Sequence, residues 1–126
     1  MFKSRKYKIL IVDDKEDARK TISSTLWDIP CSITGVGTGE EALALLKKKK
    51  FNVVILDIRL PGINGIGVLQ ELRNQNLSLP PIIVLTGSPD NNLKNDINIF
   101  GVSYYLTKDP LDAEMLIKSI KEILKL

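Results

Sequence analysis

Val53-Val54-Ile55-Leu56-Asp57-Ile58-Arg59-Leu60-Pro61-Gly62-Ile63-Asn64-Gly65 is the stretch on which the fold is read. An unbroken apolar run stops on a carboxylate, and a Pro-Gly turn signal follows within a few residues. A strand with one wet face would alternate apolar and polar residues. A run that does not alternate reads as a strand buried on both faces, as in a parallel sheet covered by helices on either side. Three further runs share the design. Ile9-Leu10-Ile11-Val12 leads into Asp13-Asp14, Ile82-Ile83-Val84-Leu85 into Thr86, and Tyr104-Tyr105-Leu106 through Thr107 to Lys108. In an open parallel sheet, ligands bind beyond the carboxyl ends of the strands, near the switch point. Asp13, Asp14, Asp57, Thr86 and Lys108 are therefore expected to meet at one small site.

The segments between these runs carry helical patterns. Ala18, Ile22 and Leu26 share one face of a helix expected from Lys15 to about Trp27, closed by Asp28-Ile29-Pro30. Ser32 to Val36 reads as a short strand, and Thr38 with Glu41 as a capping box opening a helix that ends in a lysine run. Val68, Leu69 and Leu72 mark the inner face of a third helix. A weakly patterned fourth helix is placed at Leu93 to Phe100, and a fifth begins near Asp112 with Leu116, Ile117, Ile120, Ile123 and Leu124 inward. Alternating strands and helices predict an α/β fold, a doubly wound parallel sheet of five strands. Order 2-1-3-4-5 sets the Asp13 and Asp57 strands side by side.

The 126 residues suit one domain, expected to span 1-126, with residues 1-7 as a short basic N-terminal extension. Composition is that of an ordinary globular chain, 44% hydrophobic and 26% charged, with a net charge of +3. The dense run Lys47-Lys48-Lys49-Lys50 falls at an expected helix C-terminus, where cations suit the dipole; it reads as a solvated helix end ahead of a nucleic-acid patch. With no histidine and the single cysteine Cys31, a zinc site is not expected, and Ser-His-Asp or Cys-His catalysis is excluded, as is a phosphohistidine on this chain. No run approaches the ~20 apolar residues of a membrane span. A cytoplasmic protein with no membrane or nucleic-acid partner is expected.

Adjacent carboxylates at a strand end repel unless a cation lies between them. Magnesium prefers a few carboxylates together with water and phosphate oxygens. Asp13 and Asp14 taken alone could equally supply a helix cap and a solvated acid. Asp57 on the neighbouring strand tips that balance toward a metal. An aspartate ionised at neutral pH can attack a phosphoryl group without a general base and yields a labile acyl phosphate. Magnesium beside it would neutralise charge during transfer. The Thr86 hydroxyl could donate to a phosphoryl oxygen, with room left by Gly87, and Lys108 could meet phosphate oxygens as a point charge.

This set resembles the response-regulator receiver domain, the CheY-like family. Asp57 to Gly65 looks like its D-x-x-[ML]-P-x-x-x-G segment, Leu85-Thr86-Gly87 like its T/S-[AG] step, and Tyr104 to Lys108 like its [YF]-x-x-K ending. The likeness runs from Lys8 to about Leu124. It implies a flavodoxin/CheY-like three-layer sandwich acting as a phosphorylation-controlled switch of a two-component system. Asp57 would accept a phosphoryl group from a sensor histidine kinase or histidine phosphotransfer protein. Asp14 would bind Mg2+ directly, Asp13 mostly through water, and the Arg59 backbone carbonyl would be a further ligand. Thr86 and Lys108 would hold phosphoryl oxygens, and Tyr105 would turn inward as Thr86 moves. The signalling face would be the fourth helix, fifth strand and fifth helix, meeting a downstream protein the sequence does not name.

The chain departs from the family pattern in three ways. Asp109 separates Lys108 from Pro110, where the family usually has proline directly after the lysine. Phe100 and Val102 stand where alanine is frequent, and Arg59 and Ser88 flank the site as expected modulators of dephosphorylation. Beyond self-phosphorylation and autodephosphorylation no enzymatic turnover is expected. Two weaker alternatives are an interaction module that works without phosphorylation and an aspartyl phosphohydrolase. The hydrolase type wants a second acid two positions after the nucleophile, where Arg59 stands. No output domain is expected after the fifth helix, and a standalone regulator and a piece of a longer one both remain open.

Overall fold

The computed structural model describes residues 7–87, 91–108 and 110–126. Five strands and five helices alternate: β1 (Tyr7–Val12), α1 (Glu16–Thr25), β2 (Cys31–Val36), α2 (Gly39–Lys48), β3 (Val53–Asp57), α3 (Gly65–Asn74), β4 (Ile82–Thr86), α4 (Asn91–Asn98), β5 (Tyr104–Thr107) and α5 (Ala113–Leu124). Every strand pair is parallel, in the expected order β2-β1-β3-β4-β5. Among the described residues no helix is long and apolar enough to cross a membrane.

The apolar runs are continuous because the sheet has two covered faces. Leu10, Val12, Val54, Leu56, Ile82 and Val84 point into one layer with Ala42 of α2, Leu69 of α3 and Ile97 of α4. Ile9, Ile11, Val53, Ile55, Ile83 and Leu85 point into the other with Ile22 and Leu26 at α1 and Leu116 and Ile120 of α5. All five residues of β3 and of β4 are buried. Each buried Leu, Ile or Val contributes about 1.5–3 kcal/mol, so these central strands anchor the ladder. β2, at the sheet edge, is only half-buried along most of its length.

Local signals explain most boundaries. The Thr38 hydroxyl accepts the Glu41 amide N–H at 3.1 Å and donates to the Glu41 carboxylate at 3.0 Å, so the capping box forms with the side chains closing it directly. Asn64 caps α3 by accepting the Gly67 amide at 2.9 Å, and Asp112 caps α5 by accepting the Met115 amide at 3.0 Å. α1 stops at Thr25, two residues short of the expected end, because the Leu26 amide turns back to the Ser23 carbonyl; Leu26 still reaches the core. α4 lies earlier than expected, and Phe100 follows it in a turn, buried, with the Arg73 guanidinium 5.7 Å from its ring centroid. Residues 1–6 of the expected N-terminal extension, together with Ser88 and Asp109, lie outside the described residues, whereas Tyr7 is already the first residue of β1.

Gly65, the first residue of α3, is required by contact. Its amide donates to the Ile58 carbonyl at 2.8 Å, and a Cβ there would lie 2.8 Å from both the Asp57 carbonyl oxygen and Ile58 Cα. Backbone atoms cannot swing away as a flexible side chain can. Gly65→Ala should therefore push α3 off the end of β3 and cost about 2 kcal/mol. Urea denaturation reads this as a lower midpoint with an unchanged slope; an unmoved midpoint would show that the approach is not as close as described.

Candidate functional site

The ends of β1 and β3 carry matching local structures. Val12 pairs with Leu56 across the two strands, so Asp13 and Asp57 are the next residues along. Asp13 lies just past β1, yet its amide still donates to the Val36 carbonyl of β2 at 3.1 Å, which fixes its backbone. Its Oδ1 accepts the Lys15 amide at 2.9 Å. Asp57 Oδ1 likewise accepts the Arg59 amide at 3.2 Å. These are the two-residue turns that aspartate makes readily, and each spends one carboxylate oxygen on orienting the acid. Asp13 and Asp57 are buried, Asp14 beside them is exposed, and carboxylate oxygens of all three fall within 4.8 Å of one another.

Lys108 completes the group from the end of β5. Its ammonium is 2.6 Å from Asp13 Oδ2 and donates to Asp57 Oδ2 at 3.1 Å. Its amide donates to the Thr86 carbonyl at 2.8 Å, tying it to the end of β4. Burial pushes the Asp57 carboxyl above its usual value, and the Asp13 charge adds to this; the Lys108 ammonium and the Arg59 amide oppose it without cancelling it. For Lys108, burial alone acts downward, but the two carboxylates outweigh it and the ammonium is held above its usual value. It is fully charged at neutral pH.

The donor set suits a hard divalent cation. It offers carboxylate oxygens from three acids, as magnesium prefers. Asp13 Oδ2 is buried, and among the described residues its contact is the Lys108 ammonium at 2.6 Å. It keeps acceptor capacity for a second cation.

The structure thus brings Asp13, Asp14, Asp57 and Lys108 together. Thr86 ends β4 fully buried, one residue beyond the Leu85 that pairs with Asp57. The contact shown for Arg59 is its amide on Asp57, while its side chain is exposed. Tyr105 pairs in register with Val84, is half-buried against the layer containing Ile97 and Phe100, and has a buried hydroxyl.

Sequence reasoning missed Arg19. Its Nη1 donates to the Asp13 backbone carbonyl at 2.6 Å, pinning the turn from which both acids project. The side chain runs over β2 where two glycines make room. A Cβ on Gly35 would sit 3.1 Å from Arg19 Cδ, and one on Gly37 would sit 3.4 Å from Nη1. The signal, an arginine one turn into α1 facing a Gly-x-Gly strand end, emerges only once β2 is known to lie beside β1.

Residues 9–121 match the family described as the response regulator receiver domain. A protein named probable transcriptional regulator ycf27 from Porphyridium aerugineum is 35% identical over 118 residues, 92% of this chain and 48% of that protein. One of the same name from Guillardia theta is 44% identical over 85 residues, 68% of this chain and 33% of that protein. The chain spans half or less of the length of these relatives. The Francisella response regulator 1452 receiver domain superposes with a TM-score of 0.84 at 28% identity, covering 94% of this chain and 97% of that one. The BeF3-activated DrrB receiver domain gives 0.82 at 28% identity, covering 95% and 98%. The chemotaxis protein CheY4 of Vibrio cholerae gives 0.82 at 30% identity, covering 93% and 98%.

Proposed function

The chain belongs to the receiver domains of two-component response regulators, and from that premise we propose that it is switched by phosphorylation of Asp57. The observation that carries this reading is the Lys108 ammonium between Asp13 and Asp57, 2.6 and 3.1 Å from their oxygens, inside a three-carboxylate cluster. An Asp57 oxygen attacks the phosphorus of a phosphohistidine on a sensor kinase or phosphotransfer partner. The new O–P bond forms as the N–P bond breaks, and the electron pair leaves with the imidazole nitrogen. Asp13, Asp14 and Asp57 would hold Mg2+, with the Arg59 carbonyl carried over from the family as a further ligand. When bound, the ion supplies charge neutralisation between the carboxylate and the incoming phosphoryl.

This chain's own groups do the rest. Lys108, fixed through its backbone to Thr86, exchanges a carboxylate partner for a phosphoryl oxygen. The Thr86 hydroxyl donates to another. Tyr105, already packed against the α4 layer, responds to the space Thr86 vacates. Turnover is confined to the domain's own phosphorylation and dephosphorylation. The downstream target is a protein that reads the α4, β5 and α5 surface.

The test is to incubate the protein with Mg2+ and acetyl phosphate and follow intact mass and the Tyr105 environment by NMR. Gain of one phosphate with a shift at Tyr105 is expected. Sustained release of phosphate from small esters would make it a hydrolase. An unchanged mass, with no response to beryllofluoride, would leave a phosphorylation-independent interaction module.

A further inference from the structure

The lysine run is not used by the switch. Lys47 and Lys48 close α2, where the helix dipole accounts for them. Lys49 and Lys50 lie beyond the helix, with Lys49 in extended backbone, so the dipole accounts for them far less. Among the described residues none of these four, nor Lys8, has a carboxylate within ion-pair distance. The group sits at the amino ends of the strands, opposite the acid cluster. A five-residue strand separates the two by about 15 Å, beyond the screening length at physiological salt.

A cavity opens on each side of this ridge. One, about 410 Å³, has a half-buried apolar floor that includes Leu46, Leu77, Leu79 and Pro80. The other, about 520 Å³, is polar and bordered by Lys8, Ser32 and Thr34. Lys48, Lys49, Lys50 and Phe51 line both. A site with an apolar floor on one side and unpaired cations along its rim complements a ligand that is anionic and carries an apolar anchor.

We propose that this ridge docks an acidic peptide segment of a partner protein. One large apolar side chain of the segment occupies the leucine-floored cavity, and its carboxylates lie along Lys47–Lys50 and reach Lys8. Charge complementarity selects this occupant. Duplex DNA is a poorer match, because among the described residues these cations gather at one corner and do not follow a track. Single-stranded nucleic acid lacks a stacking platform, since Phe51 is buried. An anionic membrane lacks its apolar foothold, since the exposed large hydrophobics Trp27, Ile99, Met115 and Leu126 line neither cavity. The contact would tether a partner whatever the state of Asp57.

Fluorescence anisotropy decides the matter, using a short labelled peptide of Glu and Asp with a central Leu-Phe pair. A control peptide replaces the pair with Ser-Ser. Micromolar, salt-sensitive binding of the first is expected, with the control about tenfold weaker because it buries no anchor. The double substitution Lys48→Glu with Lys50→Glu, both at exposed positions, should weaken binding at least about tenfold while circular dichroism stays native. Equal binding of the two peptides would reduce the ridge to diffuse charge and overturn the proposal. So would undiminished binding by the lysine variant, or tighter binding of a DNA duplex or of phosphatidylserine vesicles than of the peptide.

Discussion

Asp57→Asn should lose phosphate incorporation from acetyl phosphate by at least about 100-fold and, in metal-free buffer at neutral pH, melt higher than the parent chain by about 3 °C. The first effect follows because an amide oxygen carries no negative charge to attack phosphorus. The second follows because the Asp57 carboxyl is held above its usual value, chiefly by burial and then by the Asp13 charge, even with Lys108 in contact. A raised carboxyl binds more protons in the folded than in the unfolded chain. Stability attributable to it is therefore fullest below the ordinary carboxylate value and falls as pH rises through the raised one. At neutral pH the charged carboxylate costs stability, and asparagine removes that cost with little change in volume. Parallel melts from about pH 4 upward should show the parent losing stability relative to Asp57→Asn. If the variant melts lower at neutral pH in the absence of metal, the electrostatic account of the site is wrong.

Lys108→Ala should act in the opposite sense and more strongly. The ammonium touches both buried acids, and its removal leaves two carboxylates facing each other in a poorly solvated corner. Loss of one partner from a buried ion pair costs about 3 kcal/mol, so the urea midpoint in metal-free buffer at pH 7.5 should fall by that equivalent. Two remedies should restore part of it. Lowering the pH protonates Asp57, whose carboxyl rises further once Lys108 no longer opposes burial. Adding Mg2+ should supply the missing positive charge and stabilise the variant more than the parent. If neither treatment restores stability, the loss arises from packing of the lysine stem and not from charge.

Much of this site could be read from sequence because its elements are short and their ends are chemically marked. Asp13, Asp57 and Thr86 terminate runs that are apolar on both faces, and parallel pairing then leaves the strand ends adjacent. Lys108 is less sharply marked by position, since Asp109 displaces the proline, yet the hydrogen bond from its amide to the Thr86 carbonyl sets its place. Arg19 was invisible for the opposite reason. Its partner is a backbone carbonyl, which leaves no residue-type signal, and the space it crosses is created by glycines distant in sequence. The α4 boundary is not legible in the sequence because the segment is polar and its burial rests on Ile97 and Phe100, the second of which lies outside the helix. Edge strand β2 was recognised from its β-branched residues, although edge exposure blurs its apolar pattern.

Tyr104 and Tyr105 are neighbours in the chain, yet one packs with α1 and α5 and the other with α2, α3 and α4. The sheet is a wall between two rooms. Furniture moved on the Tyr105 side need not disturb the Tyr104 side, because no residue of the central strands contributes a side chain to both. Away from the β5 edge, where α4 and α5 meet one partner together, recognition surfaces on the two sides are thus free to diverge separately while the partition stays as it is.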